Sequence, residues 1–265
     1  VIVGEHAEAA GLREVVAGVF AWLQPDGTWW VNNAGAVAGD DGVLIVDTCA
    51  TERRTRRFLR AVAEATGDAP CADGGEHSPA RDHTYGNSLL PEQTVIFWHE
   101  AMRDALLADR LTDGCPPIWA PVPDWGDVTR RVPSVVFRSG LTLHSGTRRV
   151  EVRHPGYAAH TAGDVVAWLP EERVLFVGDL LFNGLTPLVL MGSLEGALKS
   201  LNWLAGFEAE HIVPGHGPLA DWADAERLVL NLHRAYADAA GGEVDLIAAF
   251  GDAMTWNSGP LPTSV

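Results

Sequence analysis

Short apolar runs broken by Gly, Asp and Pro dominate the first fifty residues, and this pattern predicts strands rather than helices. Residues 14–23 and 28–38 read as two strands joined by the turn Pro25-Asp26-Gly27. Asp40-Asp41-Gly42 forms the next turn, and Gly42–Asp47 (GVLIVD) is a buried strand. Thr51 is placed to cap a helix running to about Ala65, with Leu59, Val62 and Ala63 on its apolar face and Gly67 as its stop. Residues 93–99 (QTVIFWH) predict another strand, and Glu100–Leu111 a helix. Residues 112–133 are rich in Pro, Trp and Gly and read as a long ordered loop of the kind that borders a site. Strands follow at Ser134–Phe137, Leu141–His144 and Arg148–Arg153, then a hairpin of Asp164–Pro170 and Arg173–Asp179. Ser193 caps a helix over Leu194–Leu204, His211–Gly217 is a short strand and turn, and Ala220–Ala240 is a helix. This order of strands, helix, strand, helix, then strands and helix again is that of a four-layer αβ/βα sandwich. It predicts one domain over residues 1–251, followed by a weakly structured tail from Asp252 to Val265.

Composition narrows the picture. The chain has 265 residues, is 47% hydrophobic and carries a formal net charge of −16, which argues against nucleic acid and anionic membrane surfaces as partners. Three cysteines, Cys49, Cys71 and Cys115, do not make a disulfide framework. No apolar run approaches the ~20 residues that span a bilayer, and the N-terminal stretch lacks the pattern of a secretory leader. The expectation is a cytoplasmic protein.

The chemistry collects at strand ends. Asp82-His83 follows an awkward polar segment, and His160, Asp179 (LFVGDLLF) and His216 (IVPGHG) each close an apolar run. Imidazoles and carboxylates are the side chains that zinc and similar divalent ions take. With Asp47 at the end of LIVD, these motifs resemble, over about residues 15–220, the metallo-β-lactamase superfamily. That family has an early Asp, then H-x-H-x-D-H, a lone His, a bridging Asp and a last His. The resemblance implies that Asp82, His83, His160, Asp179 and His216 bind metal, and that Asp82 also holds or relays a proton. Asp47 would support a ligand rather than be one. It implies zinc as the cofactor, two ions in the family and one for this sequence as it stands. The region beyond the motif suggests Tyr85, Asn87, Trp30, Trp119 and Trp125 as substrate contacts, hence a small-molecule substrate with an apolar or aromatic part.

The implied activity is that of a metal-dependent hydrolase, in which metal-bound hydroxide attacks an ester, thioester, lactone or amide carbonyl. Two alternatives stand beside it. The stretch QPDGTWWVNNAG and the tryptophan-rich loop are similar to aromatic-polyketide second-ring cyclases and thioesterases of this fold. A decayed enzyme that only binds a small molecule is the other.

The pattern departs from the family in one place. Ser78 and Ala80 stand where the two leading histidines belong, and residues 71–77 (CADGGEH) make a very poor strand where a buried one is due. The codons for residues 71–81, read one nucleotide later, permit V-x-T-V-V-N-T-H-x-H-G, a buried strand running into the full motif with the length unchanged. One base gained near position 70 and one lost near 81 would give the sequence observed; the other reading is a divergent loop that has lost a metal site. Resequencing this stretch of the gene decides between them. The frameshift reading expects the paired indels, and an uninterrupted CADGGEHSPAR would overturn it as a sequencing error.

Overall fold

A computed structural model describes residues 10–24, 30–75, 81–109, 124–185, 189 and 191–228. Two sheets face each other. Seven strands lie in chain order in the first: β1 (Gly11–Val16), β2 (Val19–Leu23), β3 (Ala34–Gly39), β4 (Gly42–Val46), β5 (Cys71–Gly75), β6 (Val95–His99) and β7 (Val135–Phe137). The second sheet has five, in the order β12 (His211–His216), β11 (Val174–Phe182), β10 (Val166–Leu169), β9 (Arg148–Arg153) and β8 (Gly140–Ser145). Helix α1 (Glu52–Thr66) covers the outer face of the first sheet, and a later helix, Leu194–Ala205, covers the outer face of the second. The αβ/βα sandwich expected from the pattern is the fold observed.

Strand alternation builds three apolar layers from one rule, that successive side chains point to opposite faces. On β4, Leu44 and Val46 face the second sheet while Val43 and Ile45 face α1 with Phe58 and Val62. On β11, Val174 and Phe176 face the first sheet while Leu175 and Val177 face Leu201 and Leu204. The sheets lie close at Gly35, where a Cβ would sit 2.2 Å from the Phe176 ring.

Several expected elements shift. Residues 14–23 are not one strand: the chain turns at Gly18, φ 72°, and pairs β1 with β2. The strand expected from residue 28 begins at Ala34, because Trp30 takes the left-handed conformation (φ 64°) and residues 31–33 are held in other hydrogen bonds. Pro25-Asp26-Gly27 lies outside the described residues. Cys71–Gly75 is a strand despite its composition, paired in parallel with both β4 and β6. Its place is dictated by those two apolar neighbours, whose backbones need a partner between them. Helix α1 has the expected ends: the Thr51 hydroxyl accepts from Arg54 N–H, and Gly67 closes it at φ 65°.

Further along, α2 (Arg81–Thr84) carries the Asp-His motif and runs into a 3₁₀ turn (Tyr85–Leu89), and α3 (Glu100–Ala108) and α4 (Leu194–Ala205) fall close to their expected spans. Residues 222–228 are helical. The rest of the helix expected to Ala240, the tail, Ser78, Ala80, Trp119 and Cys115 lie outside the described residues. Among the described residues no helix is long and apolar enough to cross a membrane.

Candidate metal centre

The site forms where ends and irregularities of both sheets meet. Asp47 follows β4 in the left-handed conformation, φ 59°, which β-region strands do not supply. That turn brings Asp47 Oδ2 to 2.7 Å from His83 Nδ1. Thr48 holds the same residue from the other side, its N–H and hydroxyl 2.8 and 3.1 Å from the His83 carbonyl. The 3₁₀ turn that follows Asp82 and His83 lies tight against α1: a Cβ at Gly86 would meet the Thr55 hydroxyl at 2.3 Å.

Asp179 does not end its strand as the sequence pattern suggests. It lies inside β11, where the pairing with β12 slips between Phe176 and Phe182. The irregularity follows Gly178, φ 50°, and aims the carboxylate at the other sheet. His216 is the last residue of β12, stacked on Phe182 with ring centroids 4.8 Å apart. Gly215 is required beside it, since a Cβ there would lie 2.3 Å from Asp179 Oδ1. His160 sits in the loop after β9. That loop is pinned by Asp164, whose carboxylate accepts from the Thr161 N–H and hydroxyl at 2.6 Å each.

These side chains converge. His83 Nε2 and His216 Nε2 lie 3.1 and 3.4 Å from Asp179 Oδ1, and His216 Nε2 lies 3.2 Å from Asp82 Oδ2. His160 Nδ1 is 3.4 Å from the other Asp179 oxygen. Ligand atoms of Asp82, His83 and His216 all fall within 4.8 Å of one another. Asp82, His83, Asp179 and His216 are buried, at 6%, 0%, 3% and 6% exposure.

The arrangement fits a divalent ion. Two ligand atoms at ~2.0–2.1 Å from one tetrahedral ion lie about 3.3 Å apart, close to the spacings here. Asp47 accepts the Nδ1 proton of His83, which fixes the tautomer with the Nε2 lone pair turned inward. His83 Nε2 lies 3.1 Å from Asp179 Oδ1, turned into the space an ion would take.

The electrostatics point the same way. Burial alone would raise the Asp179 carboxyl, but the His83 and His160 charges and hydrogen bonds from His216 and His83 hold it well below the usual carboxylate range. Burial likewise opposes charge on Asp82, and the His216 hydrogen bond with the His83 and His216 charges outweighs it and lowers that carboxyl. Burial would depress His83, yet the charges of Asp179 and Asp47 lift it well above its ordinary value. Against the same burial penalty, hydrogen bonds to Asp179 and Asp82 lift His216 to about 9. Protons on the imidazoles thus supply the positive charge that buried carboxylates demand, a role a metal cation takes over.

The other expected site residues are placed as follows. Tyr85 and Trp30 each meet Trp125 edge to face, at 5.3 and 5.4 Å, and the Tyr85 hydroxyl donates to Asp109 at 2.8 Å. Asn87 is fully buried, with the Thr48 hydroxyl donating to its Oδ1 at 3.0 Å. His99 caps α3 and stacks on His154 at 4.0 Å. Sequence reading gave no role to Asn32, Asn33 or Thr48, although Asn32-Asn33 lies within QPDGTWWVNNAG, and placed Asp164 only as the start of the hairpin that ends at Asp179.

A family model, the metallo-beta-lactamase superfamily, matches residues 82–216, about half of the chain. The chain belongs to the metallo-beta-lactamase superfamily. The superfamily consists mostly of metal-dependent hydrolases, which supports an enzyme of that general type. Among curated relatives, the chain is 26% identical over 199 residues to the 2,4-dinitroanisole O-demethylase subunit alpha of Nocardioides sp. (strain JS1661), covering 74% of this chain and 54% of that protein. It is 41% identical over 63 residues to the beta-lactamase-like protein 2 homolog of Caenorhabditis elegans, covering 23% of this chain and 20% of that protein. The chain therefore spans about half the length of the first relative and a fifth of the second. Its fold is similar to that of a metallo-beta-lactamase from Pontibacter korlensis, with TM-score 0.70 and 18% identity over 84% of this chain and 99% of the other. The DIM-1 metallo-beta-lactamase aligns with TM-score 0.66 and 19% identity over 85% and 98%.

The coupling of His216 to its carboxylates predicts a pH dependence. His216 must be neutral to ligate, and its pKa of about 9 leaves it protonated at neutral pH in the metal-free protein. Zinc affinity, measured by chelator competition, is expected to rise at least about tenfold per pH unit between pH 7 and 9, since the His216 proton, and that on His83 Nε2, must be displaced. In the metal-free protein the sign reverses. The raised pKa contributes stability that is fully present below the unfolded value near ~6.5, and thermal unfolding should show it lost as pH rises through about 9. Asp47→Asn, which weakens the hold on His83 Nδ1, is expected to lower zinc affinity ~10–100-fold.

Proposed function

We propose that this protein is a hydrolase that binds one divalent ion, zinc being the natural candidate, on Asp82, His83, Asp179 and His216. The observation that carries the reading is the convergence of four buried ligand side chains from both sheets with separations of 3.1–3.4 Å. An ion bound there would activate water for attack and polarise the carbonyl of an ester, thioester, lactone or amide. The chain's own groups do the rest. Asp82, the most exposed of the three carboxylates at 6% against 3% for Asp47 and Asp179, is placed to accept a proton from the attacking water and pass it to the leaving group. His160, 8% exposed, can donate to or accept from the substrate, since Ser78 and Ala80 offer no imidazoles to complete a second ion site with it.

A cavity of about 110 Å³ lies beside the His160 loop, lined by Ala101, Met102, Ala105 and Leu106 of α3 and by Asp109, Thr161, Ala162 and Met191. Thr161 follows His160 directly, and the backbone at Gly192 packs on that of Ala159 and His160. The cavity supports a substrate whose apolar part is a short alkyl branch or a single ring; an engineered apolar cavity of ~150 Å³ takes benzene. A second reading follows from the Nocardioides relative, whose name states O-demethylation of 2,4-dinitroanisole: the bond cleaved would be an activated aryl methyl ether, with the ring in the same cavity.

One panel separates the readings. Zinc-loaded protein is assayed with short and bulky acyl esters, a thioester, a lactone and a nitroanisole. Ala105 is exposed on its helix, so Ala105→Trp should fold and fill the cavity. The expected result is turnover of a carbonyl substrate, with Ala105→Trp raising KM at least ~10-fold for bulky groups and little for acetyl esters. Release of methanol from the nitroanisole alone would favour the ether reading. Zinc uptake without turnover of any member would favour a binding protein over a hydrolase.

A further inference from the structure

Asn32 and Asn33 are adjacent, buried at 0% and 2% exposure, and reach in opposite directions. The Asn33 side-chain amide donates to the carbonyls of Pro214 at 2.9 Å and Gly217 at 2.8 Å. Its backbone N–H donates to the Gly215 carbonyl at 2.7 Å. Three bonds from one residue thus hold the segment on both sides of His216. The Asn33 Oδ1 accepts from the Gln24 N–H at 2.7 Å, so both donors and the acceptor of its amide are used.

Asn32 secures the other ligand. Its amide donates to the Thr48 carbonyl at 2.7 Å and to the Asn33 carbonyl at 2.8 Å. Thr48 is the residue whose N–H and hydroxyl hold the His83 carbonyl, and its neighbour Asp47 holds the His83 ring. Arg54, buried at 2% exposure, donates to the carbonyls of Asn32 at 2.9 Å and Trp30 at 3.1 Å and locks the segment onto α1. A chain of hydrogen bonds therefore runs from the His83 segment through Asn32 and Asn33 to the His216 segment. It links the second sheet, which carries His216 and Asp179, to the short helix beside the first sheet, which carries His83 and Asp82.

We propose that Asn32 and Asn33 are positioning residues that set the spacing of His83 and His216. No other side chain of this size offers two donors and one acceptor in the plane the Pro214, Gly217 and Gln24 groups demand. Aspartate at 33 would turn an acceptor onto two carbonyls, and alanine would leave them unpaired. The consequence for metal affinity rests on the hydrolase reading; the spacing of the two imidazoles does not.

The test uses Asn33→Ala, Asn32→Ala and, as a control, Val37→Ala, a fully buried change on β3 opposite Val19 and Leu44. Asn33→Ser keeps one donor and serves if Asn33→Ala fails to fold. In the metal-free protein, imidazole resonances are followed by long-range nitrogen–proton NMR. Asn33→Ala or Asn33→Ser should move those of His216 and Asn32→Ala those of His83, while Val37→Ala leaves both in place. Zinc affinity should fall ~10–100-fold for the asparagine variants and by less than about twofold for Val37→Ala. Imidazole signals that stay in place in the asparagine variants, or move equally in the control, would overturn the proposal. A wild-type protein that takes up no zinc would sink the hydrolase reading while the imidazole signals still decide this one.

Discussion

The fold is arranged around the burial of one carboxylate. Asp179 lies at 3% exposure between two sheets, with imidazole nitrogens of His83, His216 and His160 at 3.1, 3.4 and 3.4 Å from its oxygens. A buried carboxylate is tolerated only where positive charge or hydrogen bonds replace the water it has lost. Here three separate segments are drawn in to meet that need. Each arrives by a local departure from regular structure: a left-handed residue at Asp47, a slip in the β11–β12 pairing, and a glycine at 215 that no larger residue could replace. The cost of those distortions is offset by apolar layers on either side of both sheets, which keep the strands in register whatever their ends do.

The same arrangement links stability and chemistry. Without metal, His83 and His216 carry protons that the neighbouring carboxylates stabilise. A metal must displace those protons, and it meets side chains already oriented by Asp47, Thr48 and the backbone around His216. This is preorganisation, in which ordering costs are met at folding rather than at binding. The cavity beside the His160 loop is built from α3 and from a loop that Asp164 pins.

Much of this was legible in the sequence. Alternation in VFAWL, GVLIVD and RVLFVGD named the two-faced strands, and Thr51 and Gly67 named both ends of α1. The order of Asp47, Asp82-His83, His160, Asp179 and His216 pointed to one site before any coordinates placed them together. What the sequence hid was of two kinds. Residues 31–33 looked like more strand because Val and Asn between apolar runs carry no mark of their distant hydrogen bonds to the Pro214–Gly217 turn. The strand at Cys71–Gly75 looked impossible because its residues have poor strand propensity, yet the slot between β4 and β6 fixes its backbone. Tertiary demand overrides local preference in both cases.

The measurement that bears most directly on the proposed centre is metal content per chain, determined by elemental analysis on purified protein equilibrated with excess zinc and then freed of loose ions. With Asp82, His83, Asp179 and His216 as one site and Ser78 and Ala80 in place of two histidines, the expected value is one zinc per chain. It should fall to none in His216→Ala. No tightly held zinc in the intact chain, or one that survives loss of His216, would contradict the account.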